Sequence, residues 1–211
     1  NMFGIKELTD YVNKKNKDVD GEIKNLKKTI EELKSADAVD QEALSKAETA
    51  LKEAESKIFT PIIGCEMYVA DNDMTDRSNK KDIGRHLIVL AKNQHGYHNL
   101  IKLVSNAWTD GYYYHPRTDK KQLEKYHEDL IVCSACLGGE VPKLITAGHI
   151  EEAEKSILWF KKVFGEDYYL ELQRHKATVA RANQEAYPLQ QEVNKVLIEM
   201  SKKHNIKLVC T

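Results

Sequence analysis

Four polar residues stand where apolar runs would gather reactive groups: Glu66, His86, Cys136 and His175. Glu66 lies among Ile62, Ile63, Met67 and Val69, and a carboxylate buried there is costly unless it is paired or bound to a cation. His86 opens the next apolar run beside Arg85. Cys136 closes Cys133-Ser-Ala-Cys136, and His175 follows Glu171 and Gln173. Each has a plainer reading: an ion pair for Glu66, a hydrogen-bonded strand end for His86, one core and one site thiol for the cysteine pair. A single C-x-x-C is neither a structural zinc site nor a redox loop. Taken together at successive strand ends, Glu, His, Cys and His suit a divalent metal. Imidazole and thiolate favour zinc, while carboxylate and water tolerate manganese or magnesium. No glycine loop for phosphate and no Ser-centred nucleophile elbow is present. Gly138-Gly139 before Glu140 reads as a turn, or as the start of a helix offering N–H groups to a phosphate.

The elements that must position these residues follow from the apolar pattern. Residues 61–70 (PIIGCEMYVA), 86–91 (HLIVLA), 129–134 (DLIVCS), 168–173 (YYLELQ) and 206–211 (IKLVCT) read as buried strands. Helical spacing separates most of them: Tyr97, Leu100, Ile101, Val104 and Trp108; Ile150, Ala153, Ile157, Phe160 and Phe164, stopped by Gly165; Leu189, Val193, Val196, Leu197 and Met200, closed by His204 and Asn205. Strand then helix, repeated, predicts a parallel sheet, doubly wound or a β/α barrel, with chemistry at the C-terminal strand ends.

Residues 17–57 differ from the rest. They alternate Lys with Glu or Asp, and apolar residues fall at Ile23, Leu26, Ile30 and Leu33, then at Leu44, Ala47, Leu51, Ala54 and Ile58. That spacing is the seam of a coiled coil, and the polar stretch 35–42 makes it an antiparallel helical hairpin whose charged face is either simply solvated, the plainer reading, or a partner-binding arm. It reads as an insertion. A first helix with Ile5, Leu8, Tyr11 and Val12 on its stripe precedes it. The chain opens on that helix and stops at the end of a strand, so it reads as a piece of a domain.

Composition bounds the rest. The 211 residues are 41% hydrophobic, enough for a core, and 32 basic against 33 acidic residues leave a formal charge of −1. No overall basic field marks a nucleic-acid or membrane surface. No apolar run approaches the length of a membrane helix, no signal peptide opens the chain, and four cysteines are too few for a disulfide framework. A cytoplasmic protein with reduced thiols is expected, with Cys65 and Cys210 as strand packing residues. Of Tyr112, Tyr113 and Tyr114, at least one is expected in the core, with stacking on bases as the other role.

Several strings, in order, resemble the PHP (polymerase and histidinol phosphatase) domain of bacterial DNA polymerase III alpha subunits. They are Pro61-Ile-Ile-Gly-Cys-Glu66-Met-Tyr-Val69, Arg85 to Asn93 with Gly96-Tyr97-His-Asn-Leu100, Tyr113-Tyr-His-Pro-Arg117, Cys133 to Pro142, Tyr169-Leu-Glu-Leu-Gln173 with His175, and Ile206 to Thr211. Asn1-Met-Phe-Gly4 is similar to the residues after the family's Thr-Asp-His-Gly motif. The resemblance covers nearly the whole chain outside the hairpin.

The resemblance implies an α/β fold: an incomplete, distorted (β/α)7 TIM-like barrel, residues 1–16 and 59–211, interrupted by the hairpin 17–58. By position, Glu66, His86 and Cys136 match three middle metal ligands of the family, and His175, Glu171 and Arg117 are neighbours of the site. The family's first-strand His-x-His, second-strand histidine and closing Asp-x-His fall outside the chain. A divalent metal, zinc or manganese, is therefore expected of the complete domain, with magnesium at the parent's polymerase site, and the fragment alone need bind none. The parent is expected to be a DNA-directed DNA polymerase whose PHP site is a metal-dependent 3′–5′ exonuclease or phosphoesterase; the alternative is a scaffold docking a separate proofreading exonuclease. Its implied partners are DNA and replicase subunits, the proofreading exonuclease and the sliding clamp among them. The fragment is expected to be inactive alone, to incorporate no nucleotide, and to self-associate through an open sheet edge.

Overall fold

The two apolar seams pair. In the computed structural model, which describes residues 2–36, 38–176 and 186–211, α1 (Met2–Ser35) and α2 (Gln41–Ser56) belong to a compact unit, Asn1–Pro61. Asn1, and the side chains of residues 2–6 including Ile5, lie outside the described set. Ile23 and Ile30 of α1 and Ala54 of α2 are buried, and Ile58 falls beyond the end of α2, exposed. Lys27 meets Glu55 at 3.3 Å and Lys34 meets Glu48 at 2.9 Å, so the later residue of α1 faces the earlier residue of α2 and the helices run antiparallel. Asp40 starts α2 by accepting the N–H groups of Glu42 and Ala43. Asn16, buried in the seam, donates to the Phe59 carbonyl at 3.0 Å and accepts its N–H at 2.8 Å. α1 passes residue 17 without a break, so both sides of the 16/17 boundary lie in one helix.

The second unit, Ile62–Thr211, is built on a seven-stranded sheet. Its strands are β1 (Gly64–Val69), β2 (Arg85–Ala91), β3 (Tyr112–Tyr113), β4 (His115–Thr118), β5 (Leu130–Cys133), β6 (Tyr168–Leu172) and β7 (Lys207–Cys210), in the order β3-β4-β1-β2-β5-β6-β7. The five apolar runs became β1, β2, β5, β6 and β7. Between them lie α3 (Gln94–Thr109), α4 (Lys120–Lys125), α5 (Glu140–Thr146), α6 (Ile150–Phe164) and α7 (Ala186–His204). Gly165, at φ 58°, and Asn205, at φ 51°, end α6 and α7 in left-handed conformations.

The expectation of a parallel sheet needs correction. β2 runs antiparallel to both β1 and β5, and β3 antiparallel to β4; β1–β4, β5–β6 and β6–β7 are parallel. The reason is the connection from β1 to β2: residues 70–84 contain no helix, and a parallel return requires a long crossover, usually helical. The reversal matters for the site. It carries the start of β2 to the sheet edge where β1, β4, β5, β6 and β7 all end.

Alternation along the strands then divides the two faces. Met67, Val69, Leu87, Val89, Leu130, Val132, Tyr168 and Leu170 form one core with Leu100 and Leu103 of α3, Val141 of α5, Ile157 and Phe160 of α6 and Leu197 of α7. Glu66, Tyr68, His86 and Cys133 occupy the other face. Glu66 is therefore not buried among its apolar neighbours, as its sequence context suggests; half of its side chain is exposed. Cys65 packs against the core, whereas Cys210 is exposed on the edge strand β7 rather than packed.

Candidate functional site

The register of β1 on β2 pairs Tyr68 with His86, which sets Glu66 one turn of the pleat away on the same face. From there Glu66 Oε1 reaches His86 Nδ1 at 2.8 Å. The chain after β5 supplies the third group: Cys136 Sγ lies 3.3 Å from the same Nδ1 and accepts the Gly138 N–H at 3.3 Å. Three of the residues singled out in the sequence, drawn from β1, β2 and the loop after β5, thus meet on one imidazole.

Two glycines permit the approach. A Cβ on Gly138 would stand 2.9–3.0 Å from His86 ring atoms, and one on Gly139 2.3 Å from the Ser134 carbonyl oxygen. Their backbone is tied to the histidine: the His86 N–H donates to the Gly138 carbonyl at 3.1 Å, and His86 bridges Gly139 in parallel. The pair closes a turn, the Gly139 N–H donating to the Cys136 carbonyl at 2.8 Å, and it is not a phosphate loop, since α5 is too short to present a helix terminus of consequence. The signal for this role was present in the sequence as two glycines directly after Cys136-Leu137. Tyr68, edge-on to His86 with centroids 5.0 Å apart, is stacked on His115 at 4.5 Å, and these two rings went unmarked in the sequence.

The geometry can orient an imidazole. A carboxylate on Nδ1 fixes one tautomer, leaving Nε2 without a hydrogen bond among the described residues. Because Glu66 and Cys136 share one nitrogen, the three do not form a nucleophile–base–orienter chain, which would use both ring nitrogens. The donor types, carboxylate, imidazole and thiol, fit a divalent cation. Their placement alone is not a cage: no group of three or more His, Cys, Asp or Glu among the described residues is placed to hold a metal ion.

The remaining candidates do not join the cluster. His175 is held from α7 by the buried Gln190, which accepts its N–H at 2.8 Å and meets its Nδ1 at 3.2 Å. Glu171 is buried, accepting from Gln173 Nε2 and Thr211 Oγ1, both at 2.8 Å. Burial, and then Glu171, push the neighbouring Cys133 thiol up to about 11, so it is a neutral, buried thiol on the site face of the sheet. Arg117 is fully buried. It donates to the carbonyls of Asp82 at 2.8 Å, Met74 at 3.0 Å and Asp76 at 2.8 Å, pairs with the Asp82 carboxylate at 3.3 Å, and lies over the Tyr113 ring. Its Nε donates to the Gly111 carbonyl at 3.4 Å, and its other donors are spent on the loop between β1 and β2. Tyr112 and Tyr114 are exposed, and Tyr113 is the packed one of the three.

A sequence profile of the PHP domain matches residues 8–175. The chain belongs to the PHP domain family. Among curated relatives of this PHP chain, the DNA polymerase III subunit alpha of Borreliella burgdorferi is 55% identical over 129 residues, 59% of this chain and 11% of that protein. That of Treponema pallidum is 42% identical over 154 residues, 71% of this chain and 12% of that protein. That of Thermus aquaticus is 33% identical over 192 residues, 90% of this chain and 15% of that protein. The chain thus spans 11–15% of the length of these relatives. Among the described residues no helix is long and apolar enough to cross a membrane.

Proposed function

We propose that this chain is the PHP portion of a replicative DNA polymerase III alpha subunit, a cytoplasmic protein, and that its Glu66–His86–Cys136 edge is part of a divalent metal site for phosphodiester hydrolysis, a 3′–5′ exonuclease activity. The observation that carries the reading is the convergence of a carboxylate and a thiol on one imidazole, three groups of metal-ligand type in all. In it, His86 presents Nε2, Glu66 and Cys136 supply oxygen and sulfur, and the remaining donors belong to parts of the protein outside this chain. The chemistry a bound zinc or manganese supplies is polarisation of a phosphate ester and activation of water near neutral pH. Glu66 orients the histidine meanwhile, and Gly138 keeps its ring in place. His175, Glu171 and Arg117 have supporting parts, the last through its loop.

Polymerisation, with its own magnesium site, and contacts with DNA, a proofreading exonuclease and the sliding clamp belong to the whole protein on this reading. Residues 17–58 are an insertion into an incomplete barrel, and the chain alone neither incorporates nucleotides nor remains monomeric, β7 being an open edge. The second reading is a scaffold without catalysis, favoured by the mutual bonding of the three donors and the absence of a metal-holding group among the described residues. Elemental analysis of the full-length protein separates the two. Two or three equivalents of zinc or manganese, reduced in Glu66→Gln and Cys136→Ser, support the metal site. A metal-free wild-type protein leaves the scaffold.

A further inference from the structure

Beside the His86 edge lies a cleft of about 490 Å³ lined by Asp71, Arg85, Glu140, Lys143, Leu144, Ala147 and His149. It adjoins the site through the chain itself: Arg85 precedes His86, and Glu140 follows Gly139, which bridges His86. Both acids in its wall are neutralised. Asp71 takes two bonds from Arg85, at 2.9 and 3.3 Å, and Glu140 takes Lys120 at 2.7 Å. The Lys143 ammonium and the His149 ring have no partner among the described residues. A cleft whose carboxylates are occupied by cations, and whose free groups are donors, selects an anion.

We infer that this cleft takes a phosphate group of a single-stranded phosphodiester chain, with Lys143 as its cationic anchor and His149 as a further donor, so that the strand crosses the edge bearing Glu66, His86 and Cys136. The inference rests on the phosphodiester reading of that site and adds the path of its substrate. Lys143 touches a phosphate away from the reacting atoms, and its role is to hold the strand.

The test is anisotropy of a labelled single-stranded oligonucleotide with the 211-residue chain, in chelator, across a salt series. Lys143→Ala is expected to weaken binding by at least about threefold and to shrink the slope of log K against log salt by about 0.7, the share of one phosphate. Lys143→Arg is expected to restore both. Lys52→Ala removes the same charge from α2 and is expected to change neither, and circular dichroism confirms that each variant is folded. Equal losses for Lys143→Ala and Lys52→Ala would overturn the inference, as would oligonucleotide binding indifferent to Lys143. So would inorganic phosphate that binds through Lys143 without displacing the oligonucleotide, because the cleft would then serve the free ion. Failure of the metal analysis in the full-length protein sinks the reading of the site, whereas an oligonucleotide that ignores Lys143 while metal content stands sinks the path alone.

Discussion

Two polar clusters of the same unit are built on opposite terms. Around Arg117 every donor is spent: the side chain is 0% exposed, Asp82 beside it is 6% exposed, and the Asp82 carboxylate also accepts the N–H groups of Asp71 and Gly84. Around His86 two groups, Glu66 and Cys136, share one ring nitrogen, the side chains of His86 and Glu66 are 31% and 50% exposed, and Nε2 is unused among the described residues. A buried charge must be fully satisfied to persist, so saturation marks a structural cluster. Spare capacity at a solvent-facing edge marks a group kept for something else.

The comparison breaks most visibly at Arg117. Arg117→Met removes the donors and strands the Asp82 carboxylate with the carbonyls of Met74 and Asp76. A loss of about 3–5 kcal/mol is expected, the usual cost of breaking a buried pair from one side. Urea unfolding followed by tryptophan emission reads this unit directly, because both tryptophans, Trp108 and Trp159, lie in it. A loss below about 1 kcal/mol would mean that the loop between β1 and β2 is held by something else.

Gly138→Ala comes next and tests whether the two clusters are as separate as their exposure suggests. The new Cβ meets the His86 ring at 2.9–3.0 Å, and either the ring or the loop must move. The expected cost is about 1–3 kcal/mol, typical of overpacking. The same substitution is expected to lower metal content in the full-length protein although none of the proposed ligands is replaced, and unaltered metal content would show that the ring can shift freely.

An alkaline titration separates the buried thiol from the half-buried one in the C-x-x-C pair. Burial raises Cys133 from an ordinary 9.0 to about 11, so its neutral form is the one compatible with the fold. Stability from this group is complete below about pH 9 and is lost as pH rises through about 11. Tyr168, also raised by burial, loses stability on the same side. Cys133→Ala is expected to flatten the fall between pH 9 and 11, and alkylation at neutral pH is expected to reach Cys136 and Cys210 well before Cys133. A Cys133 as reactive as Cys210 would contradict the burial.

Much of this was legible in the sequence because it is periodic. Apolar runs gave five of the strands, 3-4 spacing gave α3, α6 and α7, and the heptad seam gave the hairpin. What resisted was non-local. β3 and β4 are too short and too polar to carry a period. The reversal of β2 depends on the absence of a helix in residues 70–84, and the saturation of Arg117 depends on carbonyls more than 30 residues away. Glu66, His86 and Cys136 were legible as residue types, but their meeting required the reversed strand. An all-parallel sheet would have sent the start of β2, and His86 with it, to the opposite edge.

The smallest expected effect completes the comparison. Glu66→Gln keeps the size of the side chain and a hydrogen-bond acceptor for His86 Nδ1 while removing the charge. Because the pair is about a third to a half exposed, its contribution to stability is expected to stay within about 1 kcal/mol, as for surface ion pairs, and to shrink further as salt is raised. The same variant is expected to reduce metal content sharply. Stability and function are thereby uncoupled at Glu66 and coupled at Arg117, which is what a spare, solvent-facing cluster and a saturated, buried one require. If Glu66→Gln cost as much as Arg117→Met, the His86 cluster would be a fastening of the fold, and its exposure would need another explanation.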